Sequence, residues 1–97
     1  MSDFATIILR LCRAGSDLTI RQAGLAILLH QNRDTPEQRQ TKSLAAQIGG
    51  PRSMITRGAD MLEGHGYARR SQLPGDRRSC VLTLTPKGEK FVRELVG

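Results

Sequence analysis

Aromatic residues are nearly missing from this chain: no tryptophan, one tyrosine and two phenylalanines in 97 residues. Proteins that hold single-stranded nucleic acid stack bases on such rings, so that mode of binding is disfavoured. Cysteine is scarce as well. Cys12 and Cys80 are the only two, with neither a disulfide framework nor CxxC metal spacing, so a reducing, cytoplasmic setting is the expectation. Long hydrophobic runs do not occur. The longest near the start, Ala5-Thr6-Ile7-Ile8-Leu9, is too short for a secretion signal or a membrane span. Neither a basic amphipathic helix with aromatic anchors nor a repeat, low-complexity tract or linker is visible, so no membrane partner is expected. Residues 1–97 are expected to form one domain around one modest core. Missing too are a Ser/His/Asp set, an HExxH motif, a phosphate-cradling glycine loop and paired carboxylates in apolar surroundings. The chain does not read as an enzyme, and no cofactor or metal is implied.

Acidic charge is the minority. Nine Asp and Glu face fifteen Lys and Arg, for a net charge of +6. The excess gathers between Arg39 and Arg78, which favours a polyanionic partner; with no stacking platforms, double-stranded DNA fits best.

The stretch from Thr41 to Thr85 organises the chain. Thr41 suits a helix N-cap, and Leu44, Ala45 and Ile48 make one apolar stripe. Gly49 and Gly50 stop that helix, and Pro51 suits the first position of the next. Over residues 51–64, Ile55, Ala59 and Leu62 share the inward side, while Ser53 and Arg57 point outward, bordered by Met54, Thr56 and Asp60. Two helices joined by a short glycine turn form a helix-turn-helix whose second member reads the major groove from its N-terminal end. Arginine can grip guanine with two hydrogen bonds, and Ser and Thr can bond bases or phosphates. Arg52 lies nearer the buried edge and suits a phosphate. Thr41 and Lys42, opening the first helix, complete the expected DNA-binding set.

Residues 67–73 and 80–83 read as two strands around a tip of Pro74-Gly75-Asp76-Arg77-Arg78. In the second strand, Cys80, Leu82 and Leu84 alternate with Val81 and Thr83, as for a sheet with one better-buried face. Arg77 and Arg78 at the tip are expected to bind DNA, with Asp76 orienting Arg78 by a charge-assisted hydrogen bond for insertion into a narrow minor groove. A short strand at residues 39–41 is expected to join the hairpin.

Three further helices are expected. Phe4, Ile7, Ile8 and Leu11 form a stripe over residues 4–14 that either closes the core or meets the same helix of a second subunit. Thr19 and Gln22 have capping-box spacing, with Leu18 and Ala23 as the hydrophobic staple. Leu25, Ala26, Leu28 and Leu29 follow on the apolar arc of the expected core helix, and His30 suits its C-terminal dipole. Residues 31–40 read as a loop or single turn. Thr85 and Pro86 open a last helix that buries Phe91, Val92 and Leu95. The fold class is therefore mainly α with a small β-hairpin: a winged helix-turn-helix of about five helices and a two- to three-stranded wing.

These residues resemble the MarR (multiple antibiotic resistance regulator) family of bacterial transcription factors. The likeness runs from Leu18-Thr19-xx-Gln22 through Leu44-Ala45, Ile55-Thr56-Arg57, Leu62-Glu63-xx-Gly66 and Asp76-Arg77-Arg78-Ser79 to Leu84-Thr85-Pro86-Lys87-Gly88. It implies a winged helix fold and homodimers on palindromic operators. It also implies recognition through Ser53, Thr56 and Arg57 and a minor-groove contact by Arg78. The chain is shorter than most members, so no small-molecule effector is expected. The residue 4–14 and 86–96 helices are the candidate dimer contacts. The resemblance also raises Cys12 as a redox switch, since some members sense peroxide through a cysteine in the first helix. A small hydrophobe packed on an apolar helix is the preferred reading of Cys12. Two other functions compete: a non-specific architectural DNA-binding protein, and a winged helix protein-interaction module.

Overall fold

Leu44, Leu62 and Val92 are wholly shielded from solvent, and Leu25, Leu29, Ile55 and Leu82 are within 1% of it. These side chains come from four helices and a strand, so the core is where the amphipathic stripes converge. A computed structural model describes residues 3–14, 17–73 and 75–97, with the backbone alone for Leu73 and residues 76–79. The element order is α1 (Phe4–Arg13), α2 (Ile20–Gln31), a 3-10 turn (Pro36–Arg39), α3 (Thr41–Ile48), α4 (Arg52–Gly64), β1 (Ala68–Leu73), β2 (Asp76–Leu84) and α5 (Pro86–Val96). Five helices and one antiparallel two-stranded sheet make a winged helix.

Caps set most of the boundaries. The Asp3 carboxylate accepts from the Thr6 amide at 2.8 Å and opens α1. Thr19 and Gln22 exchange both bonds of a capping box, at 3.0 and 3.1 Å, and open α2. Leu18 and Ala23 are buried beside it, as a staple requires. Thr85 caps α5 through the Gly88 amide, and its hydroxyl also donates to the Gly66 carbonyl at 2.6 Å. That second bond ties the start of α5 to the loop after α4.

The close packing of α5 depends on Gly88. A Cβ there would lie 1.9 Å from the Tyr67 carbonyl oxygen, an impossible contact with backbone. The Tyr67 ring stacks on Phe91 with centroids 4.4 Å apart and on the His65 ring with centroids 5.3 Å apart. His30, expected only to face the helix dipole, instead pairs its Nδ1 with Glu89 Oε2 at 2.5 Å and so joins α2 to α5.

Several expectations need correction. Thr41 is the first residue of α3 and not its cap; Gln40 holds that position with extended backbone because it bridges Val81 of β2. The expected third strand is reduced to that single bridge. Pro51 precedes α4 as its N-cap, its ψ of 158° supplying the extended residue between the Gly turn and the helix. Strand β2 begins at Asp76, not Cys80, because pairing continues to Leu73↔Asp76 across an irregularity at Gln72/Leu73. Residues 76–78 are therefore strand, not tip. Val81, on the opposite face from Leu82 and Leu84, is buried as well, at 4% exposure.

Two polar residues also differ from expectation. Cys12 is exposed and not packed, since only Leu11 of α1 is buried. Along the α1 stripe Leu11 is buried and Ile7 and Ile8 are half-buried, but Phe4 is 69% exposed; Leu9, off the stripe, is 52% exposed. Arg39, counted with the basic surface, lies inside at 7% exposure. Its guanidinium donates to the Asn32 carbonyl at 3.0 Å, the Leu82 carbonyl at 2.9 Å and Thr83 Oγ1 at 2.6 Å. Neutral acceptors satisfy the charge where water would otherwise be needed.

Candidate nucleic-acid interface

The candidate interface is built on the turn between α3 and α4. Gly49 sits at φ 83°, a left-handed conformation that a side chain would strain. Both its amide and that of Gly50 donate to the Ala45 carbonyl, at 2.8 and 3.2 Å, which closes α3 and turns the chain. Helix α4 then docks through Ile55, Gly58, Ala59 and Leu62. At Gly58 a Cβ would come 2.8 Å from Leu25 Cδ2, so glycine lets α4 approach α2 closely.

That docking fixes what faces out. Ile55 is 1% exposed, while Arg52, Ser53, Thr56 and Arg57 are all exposed. The two arginines and two hydroxyls therefore share the free side of the N-terminal half of α4, the arrangement that can present donors to base edges or phosphates. Thr56 donates its hydroxyl to the Arg52 carbonyl at 3.2 Å, so it must exchange that bond to act as a donor elsewhere. Lys42 is exposed on α3, and Thr41 is half-buried beside it.

Met54 stands at the border of that face, lining an open concavity together with Ser53 and Arg57. It is half-buried against the core, and its sulfur accepts from Arg21 Nη1 at 3.5 Å. Its long apolar side chain gains more by covering Leu25 and Ile48 than by standing in water. Thr19, Arg21 and Gln22 line the same concavity, of about 270 Å³, between the starts of α2 and α4. Arg21 is a cation on this side that sequence reasoning did not assign; only the contact between α2 and α4 brings it next to the helix-turn-helix.

The wing carries the remaining cations. The side chains of Asp76, Arg77 and Arg78 lie outside the described residues, and so does the expected Asp76–Arg78 hydrogen bond. Arg69 is exposed on β1, on the sheet face opposite Ala68 and Arg70. Arg70 is half-buried against α4, where it donates to Asp60 Oδ1 at 2.7 Å, to the Thr56 carbonyl at 3.1 Å, and to Glu63 Oε1. The hydrogen bond to Asp60 is the largest influence holding the Arg70 guanidinium protonated above its ordinary range; burial opposes it. Sequence reasoning missed this residue because its three partners lie seven to fourteen positions away. Of the eight cations from Arg39 to Arg78, Arg39 and Arg70 are thus engaged within the fold.

Comparison with known proteins places these features in context. The MarR family model matches residues 18–80. The transcriptional repressor MprA of Escherichia coli (strain K12) is 40% identical over 57 residues, which are 59% of this chain and 32% of that protein. The chain thus spans about a third of the curated relative that it matches. Among solved structures, RV1404 from Mycobacterium tuberculosis superposes with a TM-score of 0.81 at 25% identity, over 94% of this chain and 59% of that one. The repressor CouR, bound to a 23-mer DNA duplex, superposes with a TM-score of 0.76 at 32% identity, over 95% of this chain and 61% of that one.

Proposed function

Because this chain belongs to the MarR family, we propose that it is a sequence-specific regulator of transcription that binds double-stranded DNA. The observation that carries this reading is the split on α4: Ile55 locked in the core with Arg52, Ser53, Thr56 and Arg57 in solvent. Helix α4 enters the major groove, Ser53, Thr56 and Arg57 meet base edges, and Arg52, Thr41 and Lys42 hold phosphates. Met54, half-buried beside Ser53 and Arg57, supports the N-terminal turn of α4 and borders the DNA-contacting set. Arg78 follows the minor groove beside it, with Arg77 on the adjoining phosphates and Asp76 steadying the pair. The repressor CouR, whose DNA complex has this fold, supports the mode of docking.

The reading includes a homodimer, in bacterial cytoplasm, through α1 and α5. The uncovered Phe4 and Leu9 support it, as does an open apolar concavity of about 610 Å³ lined by Ile7, Ile27 and Val96 with His30, Gln31 and Arg33. Two copies would read the two halves of a palindrome. The function is regulation, with no catalytic step.

Selection of duplex sites from a random library with the purified chain tests the proposal. A selected site should bind at least about a thousandfold tighter than random duplex, as specific regulators do. A ratio near one would instead identify an architectural DNA-binding protein, and negligible DNA affinity at physiological salt a protein-interaction module. For Arg57→Ala, the selected site should lose about 1–3 kcal/mol of binding and random duplex much less. Equal losses on both would contradict base reading.

A further inference from the structure

We propose that Arg70 is a positioning residue that sets the angle of the wing against α4 and offsets part of the negative charge of the two carboxylates of that helix. The proposal rests on the DNA-binding reading above and concerns how its two contact elements are held in register. Thr56, Asp60 and Glu63, the three acceptors of Arg70, lie along one side of α4 over about two turns. One strand residue therefore grips the helix at three points. The fork of a guanidinium has fixed donor directions, so three acceptors define both its place and its rotation.

The wing needs such a clasp. Its sheet has only two strands, and a two-stranded ribbon is not rigid by itself. The base of the hairpin is anchored by Ala68, Leu82 and Leu84 in the core. Arg70, paired with Leu82, fastens the β1 side of that rung to α4; one rung out Gln40 bridges Val81 on β2, and Ser71 and Gln72 on β1 are exposed. The clasp also ends at the Thr56 carbonyl, inside the segment that presents Arg52, Ser53 and Arg57. A shift of the wing is thus coupled to the helix turn that carries the base contacts.

Charge gives the second half of the role. Asp60 is exposed and Glu63 half-buried, both on the helix proposed to approach a polyanion. Each would repel phosphates. Arg70 bonds to both and cancels one of the two negative charges, which lowers the repulsion that DNA meets on this side of α4.

A double-mutant cycle on the full chain and its selected duplex separates positioning from mere stability. Arg78→Ala should lower affinity about tenfold in the wild-type background but less than about twofold beside Arg70→Leu, because linked sites couple. Arg70→Lys, which keeps the charge but not the fork, should show the same loss of coupling while retaining the salt dependence of the wild type. Equal cost of Arg78→Ala in every background would overturn the proposal, and so would full coupling in Arg70→Lys. Should Arg70→Leu fail to fold, the pair Asp60→Ala with Glu63→Ala removes both side-chain acceptors from the helix, and the cycle is read the same way. A wild type that selects no duplex would sink the DNA reading as well; additive losses on a selected site sink the clasp alone.

Discussion

At the scale of single residues, polar side chains decide more here than their number suggests. Arg39 is held inside by three neutral acceptors on two separate segments. Replacing it with methionine would strand the Asn32 and Leu82 carbonyls, at about 1–3 kcal/mol for such unsatisfied groups. Urea unfolding should show a lower midpoint for Arg39→Met, with little change in slope. Asp3 is the simplest titrating case. Its bond from the Thr6 amide holds the carboxyl below the usual carboxylate range. A depressed folded value means that this cap stabilises α1 above the ordinary Asp pKa and is lost as pH falls through the depressed one. An NMR titration should therefore find the Asp3 midpoint below that of Asp in a disordered peptide, and Asp3→Asn should flatten the pH dependence of α1 fraying. Cys12, being exposed, should react with a thiol reagent in the folded protein faster than the half-buried Cys80.

At the scale of elements, local chemistry was readable where one short segment settles the matter. The capping box at Thr19 and Gln22, the Thr85-Pro86 start of α5 and the left-handed Gly49 all follow from neighbours in the chain. What could not be read needed a distant partner. Gln40 takes the cap position because Val81 pairs with it, and β2 starts early because β1 pairs with Asp76. On the interface, spacing alone separated Ile55 from Arg57. The half-burial of Met54, the burial of Arg39 and the clasp of Arg70 depended on contacts with α2, β2 and α4 that no local pattern encodes. Gly88 makes the same point about packing. Gly88→Ala sets a methyl against the Tyr67 carbonyl, which no rotamer change relieves. It should destabilise by at least the ~1–3 kcal/mol typical of overpacking. A control change on the exposed side of α5, Lys90→Ala, should move the thermal midpoint far less.

For the whole molecule, charge and apolar surface are segregated. Arg52, Arg57 and Arg69 are exposed on α4 and β1, with Arg21 beside them on α2, while Phe4 and Leu9 are bare on α1. None of the helices among the described residues is long and apolar enough to cross a membrane. Under the proposed dimer, sedimentation should give twice the chain mass, and Phe4→Ser with Leu9→Ser should return the monomer. The same pair of changes should weaken binding to a palindromic duplex more than to a single half-site. Binding should also fall steeply with salt, and Arg52→Ala should reduce the logarithmic salt slope by about one if that residue neutralises a phosphate.

The ring stack at the joint between wing and last helix has an optical consequence. Tyr67 is the sole tyrosine in a chain without tryptophan, so ultraviolet-excited emission comes almost wholly from one position, stacked 4.4 Å from Phe91. That emission needs no added dye. It reports whether α5 and the root of the hairpin stay seated together while the rest of the molecule is heated, diluted or loaded with ligand.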